Sequence, residues 1–596
     1  MVTVDAIFCP EVSSQVEGIC NTYNYMNPTQ ELLLLLQEKS KLIGTTYQAP
    51  SYHAIQNIIR CIDSILPFKI ASKADSKKEL IDFKELISFG WPLLLKPYYF
   101  DIDINTHLPF PIMTEELFDW TISNLLYAGK IELCNQIISY EKANFIKIKK
   151  IATDHFSFSY SNIHHGIEEY DRNSADFYRE KIITKIIDDR RKTKPFDGER
   201  IKTEFEKLIL NPLGQLISYN TTPEIDDYYN EEGHYQLLMM QGYDDFDNKD
   251  VFGNIEYWKY LTIIELIIGV GIKHSEACFL LKAKNPNVKL ENLLTYTQSK
   301  TKAIDDYASY LNWSYSEVDQ IFETITLTKE NYNYYLEYPA TPPPIFIEVG
   351  GDLLIRSIAG CFSNPFSLLC RELKRKYRKD YDKAVNNREE RFRNELFVLF
   401  PQLRIVKIRK EIRISFKDIR TDIDAILFDT HTGTLGLFQL KWQDPYANSM
   451  KERYSRISNL FPKANEWISK IKYWIKSNDE RTILNALQID RELNHKFGKI
   501  NEVCLFVLSR NQMNFTGVEM DESVAWSSWY QLIESQASVK TMFDDPIREM
   551  FVKIKSFQPN FRAQREPKEK LNDFKIEFDS FKLTYQKDTL SDSEEL

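Results

Sequence analysis

The chain has 596 residues, is 43% hydrophobic and 27% charged, and carries a net charge of −10. It is too long for a single core, and its 13% aromatic share argues against a disordered chain. Its eight cysteines show no CxxC spacing and most sit in apolar runs, which argues for buried thiols in a reducing compartment over a disulfide framework. The N-terminus lacks the basic segment of a secretory signal, and the longest apolar run, Tyr260 to Ile272, is short and interrupted by Glu265. The expectation is therefore a cytoplasmic protein with that run as a buried helix and no membrane span.

In chain order, residues 1 to about 145 read as helices. ELLLLLQEKSKLI, HAIQNIIRCIDSIL and ELFDWTISNLLYAGKIELCNQIISYEKA repeat apolar residues at three- and four-residue spacing. Lys96-Pro97 and the Leu108 to Pro111 patch are expected to break them. Residues 144–165 alternate like strand or irregular chain and are a candidate break between two subdomains. Helices resume through EYWKYLTIIELIIGVGI. Residues 1–338 are thus expected to be α-rich, and PATPPP makes 339–346 a Pro-rich linker. Residues 347–560 form the next expected domain, and 561–596 a polar tail ending SDSEEL.

Charge divides the chain. Residues 347–560 hold 35 Lys+Arg against 28 Asp+Glu, and 371–420 alone hold 17 against 8. Solvated helix faces explain such clusters, and so does a nucleic-acid-binding module on an acidic protein.

The most informative stretch is TDIDAILFDTHTGTLGLFQLKWQ, residues 421–443. Asp422, Asp424, Ile426 and Phe428 share one face of a first strand, and Leu435, Leu437, Gln439 and Lys441 one face of a second. Gly433 in the turn tolerates positive φ. With Asp429 opposite Thr434, Asp424 falls opposite Gln439 and Asp422 opposite Lys441. A carboxylate, an amide and an ammonium then converge, a plausible cradle for a divalent cation and a phosphodiester. Asp424 suits a hard cation, although a strand-end aspartate also caps turns. An ammonium in an apolar strand is costly to bury unpaired, although Lys441 at a strand end can snorkel to solvent.

These residues resemble the PD-(D/E)xK nuclease superfamily in its Mrr-like QxK variant. The pattern is a helix with a Glu, a strand, then Asp followed by Gln-x-Lys on a hairpin. Here it is carried by Glu395 on NREERFRNELFVLF, the strand around 403–416, Asp424 and Gln439-Leu440-Lys441, within roughly residues 385–515. Gln439 stands where Glu is commoner. The resemblance implies an α/β restriction-endonuclease-like domain with a central mixed sheet after the α-rich region. It also implies catalytic Asp424, Gln439, Lys441 and Glu395. Mg²⁺ or Mn²⁺ would be held by Asp424, Glu395 and the Leu440 carbonyl. Glu389 competes with Glu395 as the helix acid. The natural setting implied is prokaryotic restriction or anti-phage defence, with DNA favoured over RNA. Lys407, Arg409, Lys410, Arg420, Lys451 and Arg456 are the candidate nucleic-acid contacts. In 450–477, Ile457, Leu460, Phe461, Ala464, Trp467, Ile468, Ile471 and Trp474 form the expected buried stripe, with Lys451, Arg453, Arg456, Lys463 and Lys470 outside it.

Other motifs fail. Asp245, Asp247 and Glu256 match three EF-hand positions, but Lys249 and Asp250 occupy two others wrongly. His164-His165 would point apart on a strand. Gly269-Val270-Gly271 lacks the third glycine of a dinucleotide loop, and no P-loop occurs. Two rival readings stand beside the nuclease: an inactive nuclease-like nucleic-acid-binding or assembly protein, and a chain whose main unit is an N-terminal scaffold for a protein partner or a second copy.

Overall fold

The computed structural model describes residues 27–45, 50–68, 77–102, 112–160, 167–212, 216–240, 246–443, 450–493, 498–515, 518, 520–538, 544–558 and 574–586. The chain is a mixture of helices and several sheets, with helices dominating the first half.

Helices α1 (Lys77–Asp101) and α2 (Glu115–Lys142) lie together. They meet at Gly90 and Gly129, where an added Cβ would fall 2.0 Å from Leu125 O and from Leu86 O respectively. Pro92 and Pro97 both lie inside α1, so Lys96-Pro97 does not end that helix as expected. Strands β1 (Ile146–Ala152) and β2 (His155–Tyr160) follow, in the stretch read as strand or irregular chain. Helices α3 (Pro223–Met240) and α4 (Tyr257–Lys284) pack through Gly233 and Gly269. The long apolar run is therefore a buried helix, as expected, and no helix among the described residues is long and apolar enough to cross a membrane. The six described cysteines are all buried thiols. His164, His165 and Asp245 lie outside the described residues.

A four-stranded sheet joins β3 (Tyr296–Ser299), β4 (Thr326–Leu327), β5 (Phe346–Gly350) and β6 (Leu353–Arg356) in the order β3-β6-β5-β4. It overturns the expected linker. The Pro-rich segment 339–346 is largely buried: Trp91 Nε1 donates to Thr341 O at 3.0 Å, and the Tyr335 hydroxyl to Pro342 O at 2.7 Å. Residues on both sides of it share one sheet and one core, with Ile347 and Val349 packed among Ile55, Trp91 and Leu95. Prolines forbid helix and ladder hydrogen bonds, which makes the segment look like a tether, yet buried aromatic donors bind its carbonyls.

The second half is built on helix α5 (Arg378–Val398), β7 (Ile405–Ile408), a small hairpin β8 (Ile412–Phe416) and β9 (Ile419–Ile423), then β10 (Ala425–Asp429), β11 (Thr434–Lys441), α6 (Met450–Ser477), β12 (Glu502–Ser509), β13 (Ala525–Ser528) and α7 (Pro546–Phe557). The five-stranded sheet runs β7-β10-β11-β12-β13. Its first two pairings are antiparallel and its last two parallel, so it is mixed. Alternation sorts its side chains. Ile426, Phe428, Leu435, Leu437 and Val507 pack under α6, while Ala425, Leu427, Phe438, Leu440 and Phe506 pack against α5 and α7. Each such fully buried aliphatic or aromatic side chain contributes about 1.5–3 kcal/mol. The predicted α6 stripe from Leu460 to Trp474 is buried, with Ile457 at its edge.

The expected polar tail is corrected in part. β14 (Lys575–Phe578) and β15 (Phe581–Tyr585) return to the N-terminal strands in the order β1-β2-β15-β14, burying Ile576, Phe581 and Leu583. The acidic end beyond residue 586 lies outside the described residues.

Candidate nucleic-acid-cleaving site

The hairpin forms in the expected register, from Phe428 opposite Leu435 to Ala425 opposite Phe438. Gly433 sits at φ 73°, and its N–H donates to Asp429 O at 2.8 Å. At Asp424 the strand departs from that ladder. The Asp424 N–H donates to Phe438 O at 3.1 Å, although Phe438 already faces Ala425. Two residues of one strand thus oppose one of the other, the mark of a bulge that re-aims a side chain.

The re-aimed carboxylate lies back on β11. Its Oδ2 accepts the Leu440 N–H at 2.6 Å and the Gln439 amide N–H. In a strand, the N–H and C=O of one residue point the same way, so the Leu440 carbonyl is on the Asp424 side. Arg393 Nε donates to Asp424 O and fixes the backbone from α5. Asp424 is 3% exposed. Burial pushes its carboxyl up to about 6, with Lys441 and the Leu440 N–H opposing the rise and Asp422 and Glu389 adding to it.

Asp422, Gln439 and Lys441 line a groove of about 750 Å³ between the small β8–β9 hairpin and α6. Arg413, Arg420, Lys463 and Lys470 line it as well. Trp467 closes its floor, donating from Nε1 to Asp422 O at 2.6 Å. Lys470 Nζ donates to Arg420 O at 3.1 Å and pairs with Glu466 at 2.6 Å. Arg420 and Lys463 are exposed.

Glu395 is engaged by two cations. Its carboxylate pairs with Arg510 and lies 3.6 Å from Arg391. The Arg510 guanidinium, almost fully buried, sits among Trp442 at 4.7 Å, Trp529 at 5.0 Å and Phe392 at 5.6 Å from the ring centroids. Of the two helix acids left open by the sequence, Glu389 is the one whose charge weighs on Asp424.

The expected nucleic-acid contacts divide. Arg420 lines the groove. Lys407 Nζ instead donates to Phe397 O at 2.8 Å, on the α5 side. Arg409 and Lys410 are exposed at the end of β7, Arg456 is half-buried, and the Lys451 side chain lies outside the described residues. Arg453, expected to face outward, bonds Glu168. Arg413 and the Trp467 floor were not foreseen. The only sequence signal for Arg413 is its alternation with Ser415 on a short exposed hairpin.

Among the described residues no group of three or more His, Cys, Asp or Glu side chains forms a metal cluster. The donors present nonetheless suit Mg²⁺ or Mn²⁺: such ions take one or two carboxylates, keep several waters and accept substrate phosphate oxygens. A carboxylate raised chiefly by burial, and further by two neighbouring acids, is also one that a cation would relieve. No protein-family model, no curated protein and no solved structure matches the chain.

Proposed function

We propose that the mixed-sheet half of the chain is a metal-dependent phosphodiesterase of the PD-(D/E)xK type acting on nucleic acid, with DNA the preferred polymer. The observation that carries this reading is the Asp424 carboxylate held on Gln439 and the Leu440 N–H, next in the strand to Lys441, which with Gln439 lines a groove rich in cations. The order of helix, strand, hairpin, helix and strand around it agrees with the resemblance.

Asp424 would hold the ion with the Leu440 carbonyl, and Glu389 or Asp422 in place of Glu395. When bound, Mg²⁺ or Mn²⁺ supplies Lewis acidity toward the phosphate and a more acidic water. The Lys441 ammonium stabilises negative charge developing on the phosphoryl oxygens. Arg420 and Lys463 hold flanking phosphates, and the Trp467 side closes the groove to bulk water. The resemblance implies a 5′-phosphate and a 3′-hydroxyl as products, and restriction or anti-phage defence as the setting.

One observation favours the inactive rival. Asp424 Oδ2 already accepts two N–H groups, so that oxygen is satisfied without a cation. Incubation of plasmid, single-stranded DNA and RNA with Mg²⁺, Mn²⁺ or EDTA decides. Metal-dependent cutting that Asp424→Ala and Lys441→Ala abolish, with binding retained, supports the enzyme. Salt-sensitive binding with no cutting in any metal supports the rival.

A further inference from the structure

A second cavity, of about 830 Å³, opens in the first half of the chain between α3, α4 and the four-stranded sheet. Arg356, at the end of β6, lines it and is 2% exposed. Its Nη2 reaches the Tyr307 hydroxyl at 3.4 Å, its guanidinium lies over the Tyr296 and Phe346 rings at 5.4 and 5.1 Å from their centroids, and its Nε and Nη1 have no hydrogen-bond acceptor. No carboxylate forms an ion pair with it among the described residues. Asp226, on the same wall, pairs with Lys273, and Asp63, the buried acid behind the sheet, accepts from Thr295 at 2.5 Å and from Ser357 at 2.6 Å.

A guanidinium stays charged at any ordinary pH. Burying it with two donors unused costs several kcal/mol unless an acceptor completes it. One more unused polar atom belongs to a residue of the same lining, Gln298 Nε2. Lys302 stands exposed at the mouth. This is a donor set with net positive charge, shaped for the forked oxygens of a phosphate. The cavity is far larger than an inorganic phosphate, and Tyr296, Tyr307 and Tyr310 offer flat walls for a planar ring.

We propose that this cavity binds a mononucleotide, with Arg356, Gln298 and Lys302 taking the phosphate and the tyrosines taking the base. The site stands apart from the phosphodiesterase reading and does not depend on it.

The test is calorimetric titration of the full chain, in EDTA, with the four nucleoside 5′-monophosphates, the four nucleosides and inorganic phosphate. At least one monophosphate should saturate a single site, binding at least about tenfold more tightly than its nucleoside and than phosphate alone. Arg356→Met should abolish that binding while the unliganded protein still melts cooperatively, because the methionine keeps the apolar packing against the Tyr296 and Phe346 rings and removes the unfilled donors. Lys302→Ala, on the surface, should weaken binding several-fold, whereas Asp424→Ala should leave it unchanged. No binding by any monophosphate at millimolar concentration overturns the proposal, as does phosphate alone binding equally well. Binding that survives Arg356→Met, or that Asp424→Ala removes, places the ligand elsewhere and overturns it too. If Arg356→Met does not fold, Lys302→Ala and Gln298→Leu decide in the same way.

Discussion

The Leu440 amide donates to Asp424 Oδ2 at 2.6 Å, across the end of the β10–β11 hairpin and not along its ladder. The contact holds a carboxylate that burial, Asp422 and Glu389 push toward its neutral form. Such a group stores instability at the point where chemistry is expected, a common trade between stability and function.

The pH dependence follows. Between the ordinary carboxylate range and about 6, the unfolded chain has released this proton while the folded chain keeps it. Stability from this group therefore falls as pH rises through that window and is level above it. Asp424→Asn should be more stable than the parent at pH 7 by about 2–3 kcal/mol, a difference that vanishes near pH 4. Urea unfolding at both pH values measures it. Mg²⁺ or Mn²⁺ should raise the melting temperature of the parent at neutral pH and leave the variant unmoved. Equal urea midpoints for the two proteins at both pH values would remove the claim that Asp424 is strained.

The two helix acids separate by their consequences. Glu389→Gln removes a charge that raises the Asp424 pKa and belongs to the proposed ion site, so cleavage and metal affinity should fall by at least about tenfold with the fold intact. Glu395→Gln takes the carboxylate from the buried Arg510. Because Glu395 is itself about a third exposed, the cost should be only about 1–2 kcal/mol, with metal affinity preserved. Paired melting curves and metal titrations check this, and the reverse pattern would restore Glu395 as the ligand.

Groove cations should act through phosphates. Arg420→Ala and Lys463→Ala are each expected to weaken DNA binding to a similar degree for every sequence and to lower the salt slope by about 1. Lys407→Ala, whose ammonium is engaged by Phe397 O, should leave the slope unchanged. Fluorescence anisotropy at several salt concentrations gives all three slopes. An unchanged slope for both groove variants would move the nucleic-acid path elsewhere.

Much of the hairpin was legible because alternation, Gly433 and the α6 stripe are local properties of the chain. The bulge at Asp424 was not, since it depends on how Phe438 and Leu440 offer their backbone groups to a strand already bending into β9. The partner of Glu395 was hidden for a similar reason: the cation that claims it, Arg510, lies 115 residues away. A short strand such as LLIR carries no sign that its last residue, Arg356, will face a cavity with no carboxylate paired to it. β14 and β15 were hidden in a polar stretch because only the pairing of β15 with β2 brings them to a core.

The Pro-rich segment offers the sharpest trial of the architecture. If it were a tether, residues 1–338 and 347–596 would fold when made separately. The structure instead has β5 and β6 completing a sheet with β3 and β4, while Leu354, Phe366 and Leu369 share a core with Ile263 and Phe322. Asp171 accepts the Met513 and Asn514 N–H groups at 2.9 and 2.7 Å, which ties the two halves again. Cutting at 339–346 should therefore expose apolar core on both pieces, and each alone should aggregate or lack a cooperative melt. Co-expression of the two pieces should recover a complex that melts cooperatively. Two monomeric, cooperatively melting halves would return the chain to the tethered arrangement expected from its prolines.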